Sequence, residues 1–265
     1  MAETLFVESA DHTTIAYDVA GGGPAIILLH GGFIQSRQDW HEAGYVERLS
    51  KEYTVISIDL RGHGESDRPP KPEGYAPERL IEDVRAITKG CNINQFCLWG
   101  YSLGGTVGLQ IASRMKETIG AILVGVWFGK LFTPETTAEA LGRIESVERA
   151  IKEGVFDQME MAPNEKDFFS KVDTLFMKNF GRALAAYPPI KPMDLLCPAL
   201  MVAGTANQPA ASKLKEQKNE MCDAGVAFRF FEGLDHHQEF TEIDTIFPEC
   251  LSFLRNLKSH GIFHL

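Results

Sequence analysis

Phe96-Cys97-Leu98-Trp99-Gly100-Tyr101-Ser102-Leu103-Gly104-Gly105 is the stretch on which the reading of this chain turns. An apolar run of strand length, 96–99, enters a Gly-x-Ser-x-Gly turn, and a helical pattern over 103–115 leaves it. A serine at such a strand-to-helix turn sits on a strained backbone that lifts its hydroxyl above the sheet edge. Glycines on both sides remove Cβ atoms that would collide where strand and helix approach. The helix N-terminus favours negative charge beside the hydroxyl. Ser102 is therefore the candidate nucleophile.

On either side of this turn, further strands are read at 25–29, a continuous apolar run, and at 54–58, 121–126, 199–203 and 226–231. Helical patterns separate them at 38–51, 78–88, 210–223 and 243–257, and 4–8 with 13–19 reads as an opening hairpin. This alternation predicts an α/β fold, a mostly parallel sheet with helices on both faces. The last helix spaces Ile243, Phe247, Leu251 and Leu254 as an apolar stripe for docking on the sheet. Residues 131–197 hold two or three helical stretches and no strand, which predicts a helical cap inserted into a single domain spanning 1–265.

Two more segments carry chemistry. His30-Gly31-Gly32-Phe33 follows the first buried strand and leaves backbone N–H groups unobstructed. Such donors can hold an oxyanion, at about 3 kcal/mol each when well aimed. Gly32 and Leu103 are the expected pair, with Phe33 as the alternative to Gly32, and His30 reads as a structural hydrogen-bonder. Gly233-Leu234-Asp235-His236-His237 follows the last strand, on the same sheet edge as Ser102. A serine needs a base, and histidine titrates in the right range; His236 is preferred over His237. Phe33, Tyr101, Trp127 and Phe128 are expected to line the substrate pocket. Six of the chain's 17 phenylalanines (132, 156, 168, 169, 176 and 180) fall in the insertion, which suits cap packing or an apolar pocket.

Together with Asp59-Leu60-Arg61-Gly62-His63-Gly64-Glu65-Ser66, these segments resemble the α/β-hydrolase fold family in content and order. The resemblance covers the chain outside 131–197 and implies an eight-stranded sheet with a Ser–acid–His triad in that chain order. It places the acid about three residues after Gly204, where this chain has Asn207. A neutral Asn cannot stabilise an imidazolium, and in serine proteases the Asp-to-Asn exchange costs about 10⁴ in kcat. Three explanations stay open: an introduced substitution, an acid supplied from elsewhere, or a natural variant with weak or different chemistry. The preceding strand leads to no carboxylate before Glu135, and Asp235 should point away from its neighbour His236.

The 26 Lys and Arg against 36 Asp and Glu give a net charge of −10. That balance argues against nucleic-acid and polybasic membrane binding. Five cysteines without a C-x-x-C or a Cys/His spacing read as reduced thiols, and the first residues lack a signal-peptide pattern, so a cytoplasmic location is expected. No metal and no cofactor is expected. The expected activity is hydrolysis of a small, mostly apolar ester, lactone or thioester with an acyl or aromatic group, by a monomer or homodimer. The rival expectation, which Asn207 favours, is a non-hydrolytic member of the fold family: a ligand receptor or a cofactor-free lyase or oxygenase.

Overall fold

Apolar side chains on both faces of the strand runs dictate a sheet buried on both sides. The computed structural model, which describes residues 3–32 and 34–259, has that sheet. The elements run β1 (Leu5–Glu8), β2 (Thr14–Gly21), β3 (Ala25–Leu29), α1 (Gln38–Glu42), α2 (Tyr45–Leu49), β4 (Thr54–Ile58), α3 (Pro77–Gly90), β5 (Phe96–Tyr101), α4 (Leu103–Ala112) and β6 (Thr118–Val124). The insertion contributes α5 (Pro134–Lys152), α6 (Pro163–Lys171) and α7 (Thr174–Ala186). The chain ends with β7 (Ala199–Gly204), α8 (Ala210–Glu216), α9 (Lys218–Asp223), β8 (Ala227–Phe231), α10 (Gln238–Thr241) and α11 (Ile243–Ser259).

The eight strands are ordered β1-β2-β4-β3-β5-β6-β7-β8. The two pairs made by β2 are antiparallel and the remaining pairs are parallel. Side chains alternate between the two faces as the strand period requires. Ile27, Leu98, Leu123 and Met201 join one core with α3, α4 and α7. Ile26, Leu28, Trp99, Ile122 and Val202 join the other with α1, α2 and α11. The strand order reverses direction at β3 and β5, so a crevice opens at the carboxyl ends of the strands there.

The structure departs from the sequence expectation in two helices. The stretch 38–51 breaks into α1 and α2 at Gly44, whose φ of 81° no continuing helix adopts. The stretch 210–223 breaks at Gln217, whose side chain leaves to bond the Phe128 backbone through both its amide atoms. Phe176 and Phe180 from α7 pack against His63 and Tyr75 and bind the insertion to the body. Among the described residues no helix is long and apolar enough to cross a membrane.

Candidate active site

The site is assembled from five loops at the carboxyl ends of β3, β5, β6, β7 and β8. Ser102 joins β5 to α4 with φ 54° and ψ −113°, a strained conformation for a residue bearing a Cβ. Its N–H donates to the Val124 carbonyl at 2.9 Å, which ties the turn to β6. The turn also needs Gly104: a Cβ there would lie 2.0 Å from the Leu29 carbonyl oxygen.

Leu103 and Gly32, the residues expected to form an oxyanion pair, lie next to each other. Leu103 opens α4, where backbone N–H groups lack intrahelical acceptors. Gly32 faces it, since a Cβ on Gly32 would stand 3.6 Å from Leu103 Cβ. The loop carrying Gly32 is held by Arg37, which is buried with Asp18 and Asp59; its backbone N–H donates to Asp59 Oδ1 at 2.8 Å. His30 is structural: Nδ1 donates to the Gly31 carbonyl at 2.7 Å, and Nε2 accepts from the Leu60 N–H at 3.1 Å. Burial pushes its imidazole down from the usual histidine range.

His236 lies between β8 and α10 with Nε2 2.8 Å from Ser102 Oγ. Tyr101 lies under its ring, with centroids 5.1 Å apart, and the Tyr101 hydroxyl donates to the His236 carbonyl at 2.7 Å. Burial pushes that phenol up from its ordinary value, so it remains a donor. His236 Nδ1 meets a residue that sequence reasoning missed, Glu239, whose Oε2 is 3.0 Å away.

Glu239 is buried (1 % exposed). Its Oε1 accepts from the Gly204 N–H at 2.6 Å, and Asn207 Nδ2 lies 2.9 Å from each carboxylate oxygen. Donors converge on both oxygens, the arrangement that makes a buried carboxylate tolerable. Neighbouring Phe240 locks α10 in place against Trp40, Tyr45 and Tyr101, and its carbonyl accepts from the Tyr45 hydroxyl. Room for the pair comes from Gly125, with φ 73°, where a Cβ would lie 2.6 Å from His236 Cε1 and 2.7 Å from Glu239 Oε2.

Asn207, at the expected acid position, turns its amide nitrogen to the Glu239 carboxylate. Its Nδ2 is also 2.9 Å from His236 Nδ1. When Nε2 accepts from Ser102, however, Nδ1 carries a proton, and two donors do not bond each other. The Nδ1 proton goes to Glu239, and Asn207 donates to the same carboxylate from the other side. The expected acid position thus holds an amide that bonds a neighbouring buried carboxylate. A sequence signal was present in the spacing His236-x-x-Glu239, which puts both side chains on one side of a helical turn. Asp235 points away, as expected: its Oδ1 accepts from the Gln238 N–H at 2.8 Å.

Ser102, Leu103, Gly32, Tyr101, Trp127 and His236 border a cavity of about 410 Å³, with Leu131 and Phe132 from the insertion. Phe128 does not reach it; that side chain is 2 % exposed in the core beneath, a correction to the expected pocket. Its backbone is held by the Gln217 side chain through two hydrogen bonds. Phe33 lies outside the described residues. Among the described residues no cluster of three or more His, Cys, Asp or Glu is disposed to hold a metal ion.

A family model described as alpha/beta hydrolase fold matches residues 24–126. The chain is 34 % identical over 125 residues to a fluoroacetate dehalogenase from Burkholderia sp, covering 46 % of this chain and 40 % of that protein. It is 32 % identical over 109 residues to an uncharacterized protein of Mycobacterium tuberculosis, covering 41 % of this chain and 30 % of that protein. The matched stretch thus spans less than half the length of these relatives. The structure resembles that of an enol-lactonase from Burkholderia xenovorans LB400, with a TM-score of 0.73 and 24 % identity over 95 % of this chain and 100 % of that one. It also resembles a thermophilic esterase from Thermogutta terrifontis, with a TM-score of 0.75 and 22 % identity over 97 % and 99 % of the two chains.

Proposed function

Because the chain belongs to the α/β-hydrolase fold superfamily, we propose that it is a serine hydrolase acting on a small, mostly apolar ester, lactone or thioester. The observation that carries this reading is the hydrogen-bonded series Ser102 Oγ, His236 Nε2, His236 Nδ1 and Glu239 Oε2, with links of 2.8 and 3.0 Å. These lengths are within proton-transfer reach. The enol-lactonase and esterase that share the fold support the ester or lactone class.

Ser102 Oγ attacks the carbonyl carbon while its proton moves to His236 Nε2. The oxyanion that forms is held by the N–H groups of Leu103 and Gly32. Collapse breaks the bond to the leaving oxygen or sulfur, which takes the proton from His236 and departs, leaving an acyl ester on Ser102. A water then gives its proton to His236 and adds to the acyl carbon. Breaking the Oγ–C bond returns that proton to Ser102 and releases the acid. Through both halves Glu239 stays ionised against the imidazolium, and Asn207 and the Gly204 N–H keep its carboxylate aimed.

The rival non-hydrolytic reading drew its support from a neutral Asn207, and a carboxylate at Nδ1 removes that support. The test is labelling by a serine-directed fluorophosphonate together with turnover of p-nitrophenyl acetate. Both are expected in the parent protein and neither in Ser102→Ala. A parent protein that neither labels nor turns over ester would refute the reading.

A further inference from the structure

The Gln35 side chain borders two cavities. One is the catalytic cavity; the other, about 490 Å³, lies between the oxyanion loop, the 62–68 loop and the junction of α6 with α7. Its character differs from that of the apolar wall formed by Trp127, Leu131 and Phe132. Arg68 and Lys171 line it beside Gln35 and Ser36, and Asp173 brings a carboxylate.

The charges around this space divide into committed and free. Asp173 Oδ1 caps α7 by accepting from the Phe176 N–H at 3.0 Å. Lys171 pairs with Asp167 at 2.7 Å, but both side chains are well exposed and such a pair holds weakly. On the 62–68 loop, Glu65 accepts from Arg37 and Thr4, and Asp67 accepts from the Thr14 N–H. Arg68 has neither a hydrogen bond nor an ion pair among the described residues, and the Gln35 amide has no hydrogen-bond partner there.

The free guanidinium stands on a fixed base. The Gly62 N–H donates to the Asp67 carbonyl at 2.8 Å, and the Asp67 N–H donates to the Thr14 carbonyl at 2.9 Å. Just beyond Arg68, the Pro69 carbonyl accepts from the Tyr75 hydroxyl and the Pro70 carbonyl from the Asn179 amide. The backbone under Arg68 is thus tied down on both sides. A fork of donors on such a base recognises a carboxylate or phosphate at small entropic cost.

Gln35 also indicates which end of the substrate reaches this space. Its Oε1 folds back over Gly31, where a Cβ would lie 1.8 Å from that oxygen and 3.1 Å from Tyr101 Cδ1. The amide therefore sits on the Tyr101 side of the oxyanion loop, and Tyr101 underlies His236. His236 gives its proton to the departing oxygen or sulfur, so the leaving group occupies this side. Trp127, Leu131 and Phe132 pack against the core on the other face of the sheet from Tyr101, which leaves the acyl group to them.

Resting on the hydrolase reading, we propose that the alcohol or thiol part of the substrate is acidic. It extends past Gln35 and ends in a carboxylate or phosphate held by Arg68, with the Gln35 amide as a second donor. The acyl part stays small and apolar. The net charge of −10 repels anions at long range, so the preference arises locally.

Butanoate esters of 3-hydroxypropanoic to 6-hydroxyhexanoic acid, each against its neutral primary amide, measure this as a ratio of kcat/KM. Butanoate esters of the matching hydroxyalkyl phosphates, each against its dimethyl phosphate, separate phosphate from carboxylate. In the parent protein the best anionic ester should exceed its neutral counterpart about tenfold, the scale of one charge-assisted hydrogen bond, and by less at high salt. Arg68→Gln should bring the ratio to about one, and Arg68→Glu below it. Gln35→Met keeps the side-chain length and should lower the ratio about threefold. A loss of stability alone would lower both rates and leave the ratio. Calorimetric titration of Ser102→Ala with the same pairs reads binding without turnover, and the anionic ester should bind the tighter. Ratios no greater than one at every length in both series, or a ratio that Arg68→Gln leaves unchanged, would overturn the proposal while leaving the hydrolase reading intact. So would a preference found on the acyl side alone, read with monoethyl esters of diacids against their amides. Failure of fluorophosphonate labelling and of all turnover in the parent protein would strike the hydrolase reading itself; the calorimetry would still decide whether Arg68 holds the anion.

Discussion

Replacing Glu239 by Gln changes one charge and almost no volume, and the surrounding donors and acceptors decide the outcome. With Gln Oε1 accepting from the Gly204 N–H, its NH₂ takes the place of Oε2, 3.0 Å from His236 Nδ1 and 2.9 Å from Asn207 Nδ2. A donor then faces Nδ1, so the imidazole moves its proton to Nε2 and loses the lone pair that accepts from Ser102. The opposite amide orientation sets the NH₂ against the Gly204 N–H. The charge term can be sized: a unit pair at that 3.0 Å separation is worth about 5.5 kcal/mol at an effective dielectric near 20. At about 1.4 kcal/mol per decade this is about 10⁴ in rate. His236 is 43 % exposed, and solvent screening reduces the figure, so kcat is expected to fall by about 10³ to 10⁴. The assay is kcat for p-nitrophenyl acetate, with fluorophosphonate labelling to count competent sites and a urea titration to show that the protein is folded. A Glu239→Gln protein keeping more than a tenth of the parent kcat would refute the assignment of Glu239 as the partner of His236.

Asn207→Asp places a second carboxylate 2.9 Å from the first, so one of them must take up a proton. It is expected to give no gain in rate and to cost about 2–4 kcal/mol of stability at pH 7. Urea titration at pH 7 would read the loss. The double variant Asn207→Asp/Glu239→Gln moves the charge back to the more usual side of the imidazole, and kcat should return to within about tenfold of the parent, a recovery that a merely structural role for Glu239 would not produce. Gly125→Ala drives a Cβ to 2.6 Å from His236 Cε1 at a φ of 73°; kcat should fall about 10²-fold and stability by about 1–2 kcal/mol, measured by steady-state kinetics and urea unfolding. Burial raises the Asp11 carboxyl, but hydrogen bonds from Arg61 and Thr13 outweigh this and hold it at about 2. The depressed value means that its stabilisation is present above about pH 4 and lost as pH falls towards 2, so Asp11→Asn should show a shallower acid loss of stability by circular dichroism.

The sheet was legible because its central strands, β3 to β7, are buried on both faces. A continuous apolar run such as 25–29 leaves little freedom in placing a parallel strand, and β3 occupies those residues. Ser102, Leu103 and Gly32 stand within three residues of the end of such a strand, whereas His236 follows the half-exposed β8 by five residues; in each case finding the strand places the residue on the crevice. Helix ends were less legible, since the breaks at Gly44 and Gln217 rest on one residue's backbone or side chain. Phe128 was misjudged because following a strand at the crevice does not fix a rotamer; the Gln217 side chain, 89 residues away, holds its backbone.

The acid was missed for a reason that belongs to the chemistry. Catalysis of this kind needs a carboxylate at Nδ1, not a particular loop to carry it. Two routes reach that point here: the turn after β7, which delivers Asn207, and the first turn of α10, which delivers Glu239 three residues after the histidine it serves. The second route works only because several features agree. Gly125 leaves the space, Phe240 anchors the helix, and the Gly204 N–H and the Asn207 amide supply donors that a buried carboxylate needs. Asp at 207 would spoil this set by replacing a donor with an acceptor. Asn207 and Glu239 thus form one device: with the charge carried by residue 239, residue 207 has to be neutral and to donate, and an amide of aspartate's size meets both demands.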